Sequence, residues 1–321
     1  MSLPVHIGIS MTYAPPLLKV GGGERMGVER MGVERMGVER MGGTQMEITF
    51  YGVRGSTPCA GEATARYGGN TASVVITSEG QDPILLDLGT GLRYFGKSVG
   101  ASELHAHALV THLHWDHVQG LPFCQPLLVE GASLHVYGPA HEGVPFGEAF
   151  DQLMRPPFFP VRICELPASI ELTTLTEGTF DIAGARVTAM YVPHTDTTFG
   201  YRIERDGWSV AYVSDHQQPD DAQAVEEAVI ELCRGVDVLI HDAQFTPAEY
   251  ECKKSWGHCT IDFAIRVAAV SGAKKLVLFH HDPSHDDDML DELATEASAE
   301  GQRQGVHDIV AAFEGLSISL V

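Results

Sequence analysis

The chain has 321 residues, ordinary apolar content and a formal net charge of −22, which allows one large α/β domain or two small ones. A surface this acidic repels nucleic acid, and no run is apolar and long enough to cross a bilayer. The six cysteines (Cys59, Cys124, Cys164, Cys233, Cys252 and Cys259) form no C-x-x-C pair, so they read as reduced thiols of a cytoplasmic protein and not as a disulfide frame.

Residues 1–45 differ from the rest. The start has no basic n-region and no small-residue cleavage site, so it makes a poor signal peptide. A five-residue repeat, E-R-M-G-V, begins at Glu24, Glu29, Glu34 and Glu39, the last copy ending in Gly. A glycine in every copy costs a helix about 1 kcal/mol each. The period fits neither a heptad nor a solenoid unit. The segment reads as a low-complexity, disordered extension, an expanded repeat ahead of the domain's own start at Met46.

The folded domain, residues 46–321, then runs in order. Glu47–Val53 is an alternating strand, 55–69 a loop and Ala72–Thr77 a strand. Pro83–Leu86 is a strand that ends in Asp87, within L-L-D-L-G-T-G, and Thr90–Ser98 is a short helix. Ala106–Val110 is a buried strand that delivers T-H-L-H-W-D-H-V-Q-G. This loop places His112, His114, Asp116 and His117 within six residues. Imidazole and carboxylate together suit zinc, iron or manganese. An H-x-H alternation lets two imidazoles reach one ion from an extended backbone. The D-H pair turns into a short helix and can face a second ion.

Further on, Leu134–Tyr137 reads as a strand and Val144–Met154 as a helix. The stiff run R-P-P-F-F-P follows, in which Phe158 and Phe159 either wall a substrate or pack their rings onto the body. Ala185–Val192 is a strand running into Pro193-His194. Phe199–Arg205 and Ser209–Val213 form a hairpin about Asp206-Gly207 and end in Ser214-Asp215. Asp220–Arg234 has the pattern of an amphipathic helix. Val236–Ile240 is a buried strand delivering His241, Asp242, Ala243, Gln244 and Phe245. Gly257-His258-Cys259-Thr260 opens the helix Ile261–Val270. Lys274–Phe279 is the last buried strand, and it delivers His280 and His281. Alternation points these two to opposite faces, so one of them can be a ligand. Asp286, Asp287 and Asp288 read as the solvated start of the helix Asp286–Glu300. A terminal pair of strands follows.

H-L-H-W-D-H resembles the H-x-H-x-D-H signature of the metallo-β-lactamase superfamily. The resemblance runs from Met46 to the last strand and implies a four-layered αβ/βα sandwich with two mixed sheets. It also implies two divalent metal ions, zinc first among zinc, manganese and iron. The first ion would take His112, His114 and His194, and the second Asp116, His117 and His280, placed directly after the apolar run. Asp215 would bridge them, and Asp87 would support the metal-binding loop without being a ligand. H-D-A-Q-F followed by G-H-C-T is similar to segments of the ribonuclease Z and phosphodiesterase branch. That likeness implies catalytic roles for His258 as general acid, for Asp242 as its orienting carboxylate and for Asp116 beside them. Here Asp stands where the branch has Glu, and Cys259 where it has Ser.

The implied activity is hydrolysis of a small cyclic or nucleotide-type phosphodiester by a hydroxide that bridges the metals. Transfer RNA processing fits the charge poorly. Without the five basic and four acidic residues of the first 45, 16 Lys+Arg face 39 Asp+Glu, a net of −23. An ester, thioester or lactone hydrolase, a diiron redox protein and a non-catalytic metal-binding module are the competing expectations. The expected partner is a small-molecule substrate, with neither nucleic acid nor membrane. The family's habit of dimerising suggests a homodimer by analogy alone.

Overall fold

Two seven-stranded sheets stack face to face in the computed structural model, which describes residues 45–321. The repeat and the rest of residues 1–44 lie outside the described residues.

The first sheet begins with β1 (Met46–Gly52), β2 (Ser73–Ser78), β3 (Ile84–Leu86), β4 (His105–Leu109), β5 (Ser133–Pro139) and β6 (Ser169–Leu175). The second holds β7 (Gly178–Ile182), β8 (Ala185–Val192), β9 (Thr198–Arg205), β10 (Trp208–Val213), β11 (Val238–Asp242), β12 (Leu276–Phe279) and β13 (Ile309–Ala311). The chain then returns as β14 (Ser317–Leu320) to pair antiparallel with β1 at the edge of the first sheet. Strands β3 to β6 run parallel, as do β10 to β13. Parallel strands align their C-terminal ends, so the loops that carry chemistry gather at one rim.

Alternation in β1 shows how the layers form. Met46, Ile48 and Phe50 are fully buried between the sheets, while Glu47, Thr49 and Tyr51 are half-buried on the other face. The inner core adds Val74, Leu86, Val187, Tyr201, Tyr212, Ile240 and Phe279 from both sheets. A second core lies under α1 (Leu92–Val99), α2 (Trp115–Val118) and α3 (Phe146–Phe150), and includes Leu92, Val118 and Phe146. A third lies under α4 (Glu227–Cys233), α6 (Ile261–Ser271) and α7 (Asp287–Gln304), and includes Leu232, Val267 and Ala297. Helix α5 (Pro247–Lys253) is capped by Thr246, whose hydroxyl accepts from the Glu249 N–H. The result is the expected four-layered sandwich.

Several elements depart from the sequence reading. The helix expected over Val144–Met154 shrinks to α3 and one 3₁₀ turn, because Pro145 sets its start and Pro156-Pro157 crowds its end. Only Glu227–Cys233 of the Asp220–Arg234 pattern is helical. The Asp221 carboxylate accepts from the Gln223 N–H, a local bond that diverts the backbone. Strands β6 and β7 and helix α5 are additional. Both strands close the edge of their sheets, where half-exposed faces lose the apolar alternation. Nor is the acidic run solvated throughout. Asp286 caps α7 through the Met289 N–H, but Asp287 is buried and accepts from the Arg66 and Tyr67 N–H groups.

Arg54, wholly buried, donates to the carbonyls of Gly68, Asp282 and His285 at 2.8, 3.2 and 2.6 Å. It thereby ties the loop after β1 to the loop after β12 at the functional rim. All six cysteines are free. Among the described residues no helix is long and apolar enough to cross a membrane.

Candidate active site

Asp87, the ligand loop 111–117, His194, Asp215, Asp242 and His280 all stand at or just beyond the C-terminal ends of strands. The sandwich therefore brings them together at one rim. Asp215 is at the centre. Its Oδ2 lies 3.7 Å from His112 Nε2 and 3.8 Å from His194 Nε2, while its Oδ1 lies 3.1 Å from His117 Nε2 and 3.5 Å from His280 Nε2. The His280 Nε2 is also 3.1 Å from Asp116 Oδ2. His114 Nδ1 lies 3.3 Å from His194 Nε2.

Two groups of donor atoms result: His112, His114, His194 and Asp215 on one side, and Asp116, His117 and His280 on the other. The two expected triads thus lie together at one rim, with Asp215 grouped with the first of them. Asp215, His258 and His280 form a third, overlapping group. His112 Nε2 and both Asp215 carboxylate oxygens are buried without a hydrogen bond. Such atoms are costly unless something else satisfies them. Imidazole nitrogens and carboxylate oxygens at this spacing fit divalent ions.

The other nitrogen of most rings is already engaged. His112 Nδ1 is 3.0 Å from Thr111 Oγ1, His117 Nδ1 is 2.8 Å from Asp87 Oδ2, His194 Nδ1 is 2.6 Å from the Gly257 carbonyl, and His280 Nδ1 is 2.9 Å from Gln244 Oε1. Each bond turns Nε2 toward the cluster and fixes the ring, as outer partners of metal-binding histidines do. Asp87 also accepts from the Thr111 N–H and the Tyr212 hydroxyl, both at 2.8 Å, so it organises the loop from outside. Gln244 and Ser56 were not singled out from sequence. Gln244 Nε2 donates to Ser56 Oγ, and the Ser56 N–H donates to Asp116 Oδ2 at 2.7 Å. Gln244's place two residues after Asp242 was the available signal; Ser56 gave none.

His281 settles the choice left open at the end of β12. Its Nε2 is 2.9 Å from the Ala312 carbonyl, away from the cluster, and burial pushes its pKa down to about 3. It points away from the cluster that holds His280, and it is buried and not exposed. His241 also points elsewhere, with Nε2 3.0 Å from His216 Nδ1.

Burial lowers the pKa of His112 well below the ordinary value, with the neighbouring His117 adding to it, and keeps that ring neutral and able to bind. His117 behaves differently. Burial again disfavours its charge, but Asp116, Asp215 and Asp87 outweigh this and raise its pKa well above the usual range. Three carboxylates therefore draw positive charge to this point, and a divalent cation supplies that charge more fully than one proton.

His258 lies beside the cluster. Its Nδ1 is 3.0 Å from Asp242 Oδ2 and 3.7 Å from Asp215 Oδ2. Asp242 is buried and also accepts from the His216 and Gln244 N–H groups, both at 3.0 Å. The Cys259 thiol donates to the Asp242 carbonyl at 3.1 Å. His258 is mostly buried, yet it lines an open pocket of about 550 Å³ together with Ser56, His114, Trp115, Asp116 and Trp256. Phe158 is exposed and Phe159 half-buried; both line the cleft next to this pocket.

A four-layered sandwich with these histidine and aspartate groups on one rim is a metallo-β-lactamase-fold hydrolase. The chain belongs to the β-lactamase superfamily, whose domain model matches residues 84–281. It is 25% identical over 281 residues to a ribonuclease Z of Haloarcula marismortui, covering 73% of this chain and 86% of that protein. Its fold is similar to the metallo-β-lactamase fold protein YhfI from Bacillus subtilis, with a TM-score of 0.66 at 20% identity over 86% of this chain and all of that one. It is also similar to a diphosphatase of the PhnP family, with a TM-score of 0.63 at 22% identity over 86% of this chain and 98% of that one.

Proposed function

We propose that this protein is a dinuclear metal-dependent phosphodiesterase acting on a small phosphodiester, cyclic or of nucleotide type. The observation that carries the reading is Asp215, whose two buried oxygens face His112 and His194 on one side and His117 and His280 on the other while His258 stands 3.7 Å away. His112, His114 and His194 would hold one ion, Asp116, His117 and His280 the other, with Asp215 shared. Bound there, the ions would supply an acidified water and offset the charge of the phosphoryl oxygens.

The chain's own residues do the rest. Asp242 accepts from His258 Nδ1 and favours the cationic ring, which leaves the proton on Nε2 free to pass to the departing oxygen. Burial alone would lower the His258 pKa; Asp242 foremost, with Asp215 and Asp116, raises it instead. Zinc, manganese and iron all suit this donor set.

The test is hydrolysis of bis-p-nitrophenyl phosphate by wild type and His258→Ala, each with its metals counted. Wild type should hold two ions and turn over. The variant should keep both and lose about 10²- to 10⁴-fold in kcat. A metal-loaded wild type that is inert on the diester but cleaves thioesters would transfer the assignment to the ester and thioester class. The ribonuclease Z relatives favour a second reading, an RNA substrate. The net charge of the chain, −22, works against it.

A further inference from the structure

We infer that the cleft adjoining the candidate active site is a subsite for a flat, uncharged aromatic arm of the substrate. The substrate would then carry one phosphate and one such ring, of which a nucleobase is an example. The inference rests on the phosphodiesterase reading and names the substrate class for it.

Trp115 is the link. It stands inside the ligand loop, between His114 and Asp116, is 76% exposed, and lines both the catalytic pocket and a neighbouring cleft of about 520 Å³. Leu121, Phe123, Met154, Phe158 and Phe159 line that cleft from two stretches of chain, 115–123 and 152–159. Phe123 and Phe158 are 59% and 87% exposed. Such aromatic exposure, gathered on one concavity beside a reactive centre, marks a binding surface. The wall is also held in place. The N–H groups of Phe158 and Phe159 both donate to the Arg155 carbonyl, and the Phe159 ring meets Phe123 edge-on at 6.1 Å. Trp256, 57% exposed, lies two residues before His258 and lines the same catalytic pocket as Trp115.

Charge narrows the occupant. Neither the pocket nor the cleft is lined by a lysine or arginine among the described residues. Lys253 lies over the Trp256 ring at 5.5 Å, but Asp282 engages it at 2.8 Å. The aromatic cleft itself therefore offers no cationic side chain to a second phosphate or a carboxylate on the arm, and the acidic surface repels one. A ring stacked on Trp and Phe needs no such partner.

Two diesters with the same leaving group test this: bis-p-nitrophenyl phosphate and methyl p-nitrophenyl phosphate. With metal-loaded wild type, kcat/KM should favour the bis-aryl diester about tenfold, the scale of one stacked ring. In Phe158→Ala, and more fully in Phe123→Ala/Phe158→Ala, that ratio should fall through a rise in KM for the bis-aryl diester. A ratio that stays the same in wild type and both variants overturns the subsite and leaves the phosphodiesterase reading standing. Binding of p-nitrophenyl phosphate, followed by quenching of tryptophan fluorescence, needs no turnover. If wild type hydrolyses neither diester, the phosphodiesterase reading fails. The subsite then stands on a Kd about tenfold weaker in the double variant, and falls on an unchanged Kd.

Discussion

Asp87 Oδ2 lies 2.8 Å from His117 Nδ1, and Asp87 sits in the left-handed region at φ +58°. A non-glycine residue holds that conformation only when its surroundings compensate. Here the compensation is the set of donors that converge on its carboxylate from the ligand loop and from Tyr212.

Replacing that carboxylate should therefore act on metal binding without removing a ligand. In Asp87→Asn, affinity for divalent metal should fall about 10- to 100-fold. Metal titration after chelator treatment reads this directly. An unchanged affinity would show that the His117 ring is oriented by other contacts.

Asp242→Asn separates proton transfer from metal binding. It preserves shape but removes the charge that favours the His258 cation. On the proposed diester activity, kcat should drop at least about 100-fold with metal content unchanged. Loss of metal along with activity would mean that Asp242 supports the cluster and not the acid.

Gly257 has φ +90°, and a Cβ there would lie 2.4 Å from the His194 ring. Gly257→Ala should displace His194, lower metal content at the first group and reduce activity at least tenfold. It should also cost about 1–3 kcal/mol of stability from backbone strain. Gly207, at φ +82°, has open space around it. Gly207→Ala should lose stability by strain yet keep its activity, so the pair separates folding from site geometry. Equal activity losses would refute the contact.

A pH prediction falls far from the metal cluster. Burial would raise the Asp237 pKa, but bonds from Lys274 at 2.6 Å and from the Ser209 N–H and hydroxyl lower it below the ordinary value. A depressed carboxylate contributes stability in full above its unfolded pKa, about 3.9, and loses it as pH falls through the folded value. Wild type should exceed Asp237→Asn in urea stability at pH 7, and the gap should narrow as pH falls below the unfolded value toward the lower folded one. A gap that stays constant from pH 7 to pH 3 would rule out this linkage.

Much of this site was legible before folding was considered. Buried parallel strands are short apolar runs, and the residue after each run must leave the sheet at the same rim. His112, Asp215, Asp242 and His280 were therefore recognisable as groups that could meet; His194 follows β8, which pairs antiparallel on both sides, and only the family resemblance pointed to it. Edge strands β6 and β7 were not legible, since half-solvated faces carry no clear alternation. The helix expected over Asp220–Arg234 failed because Asp221 bonds its own backbone, a competition that a hydrophobic pattern does not register.

By itself the sequence determined which imidazole and carboxylate residues are candidates, their order along the chain and the net charge of −22, because all of these are properties of residue identity and local period. Only the tertiary structure decided that His280 and not His281 joins the cluster, that Gln244 and Ser56 brace it, and that Asp287 is buried against the loop holding Arg66. The same holds for Trp115, which connects an aromatic cleft to the reactive rim. These outcomes depend on contacts between segments as far apart as Ser56 and Gln244. No local pattern encodes the direction in which a side chain points once two sheets have closed over it.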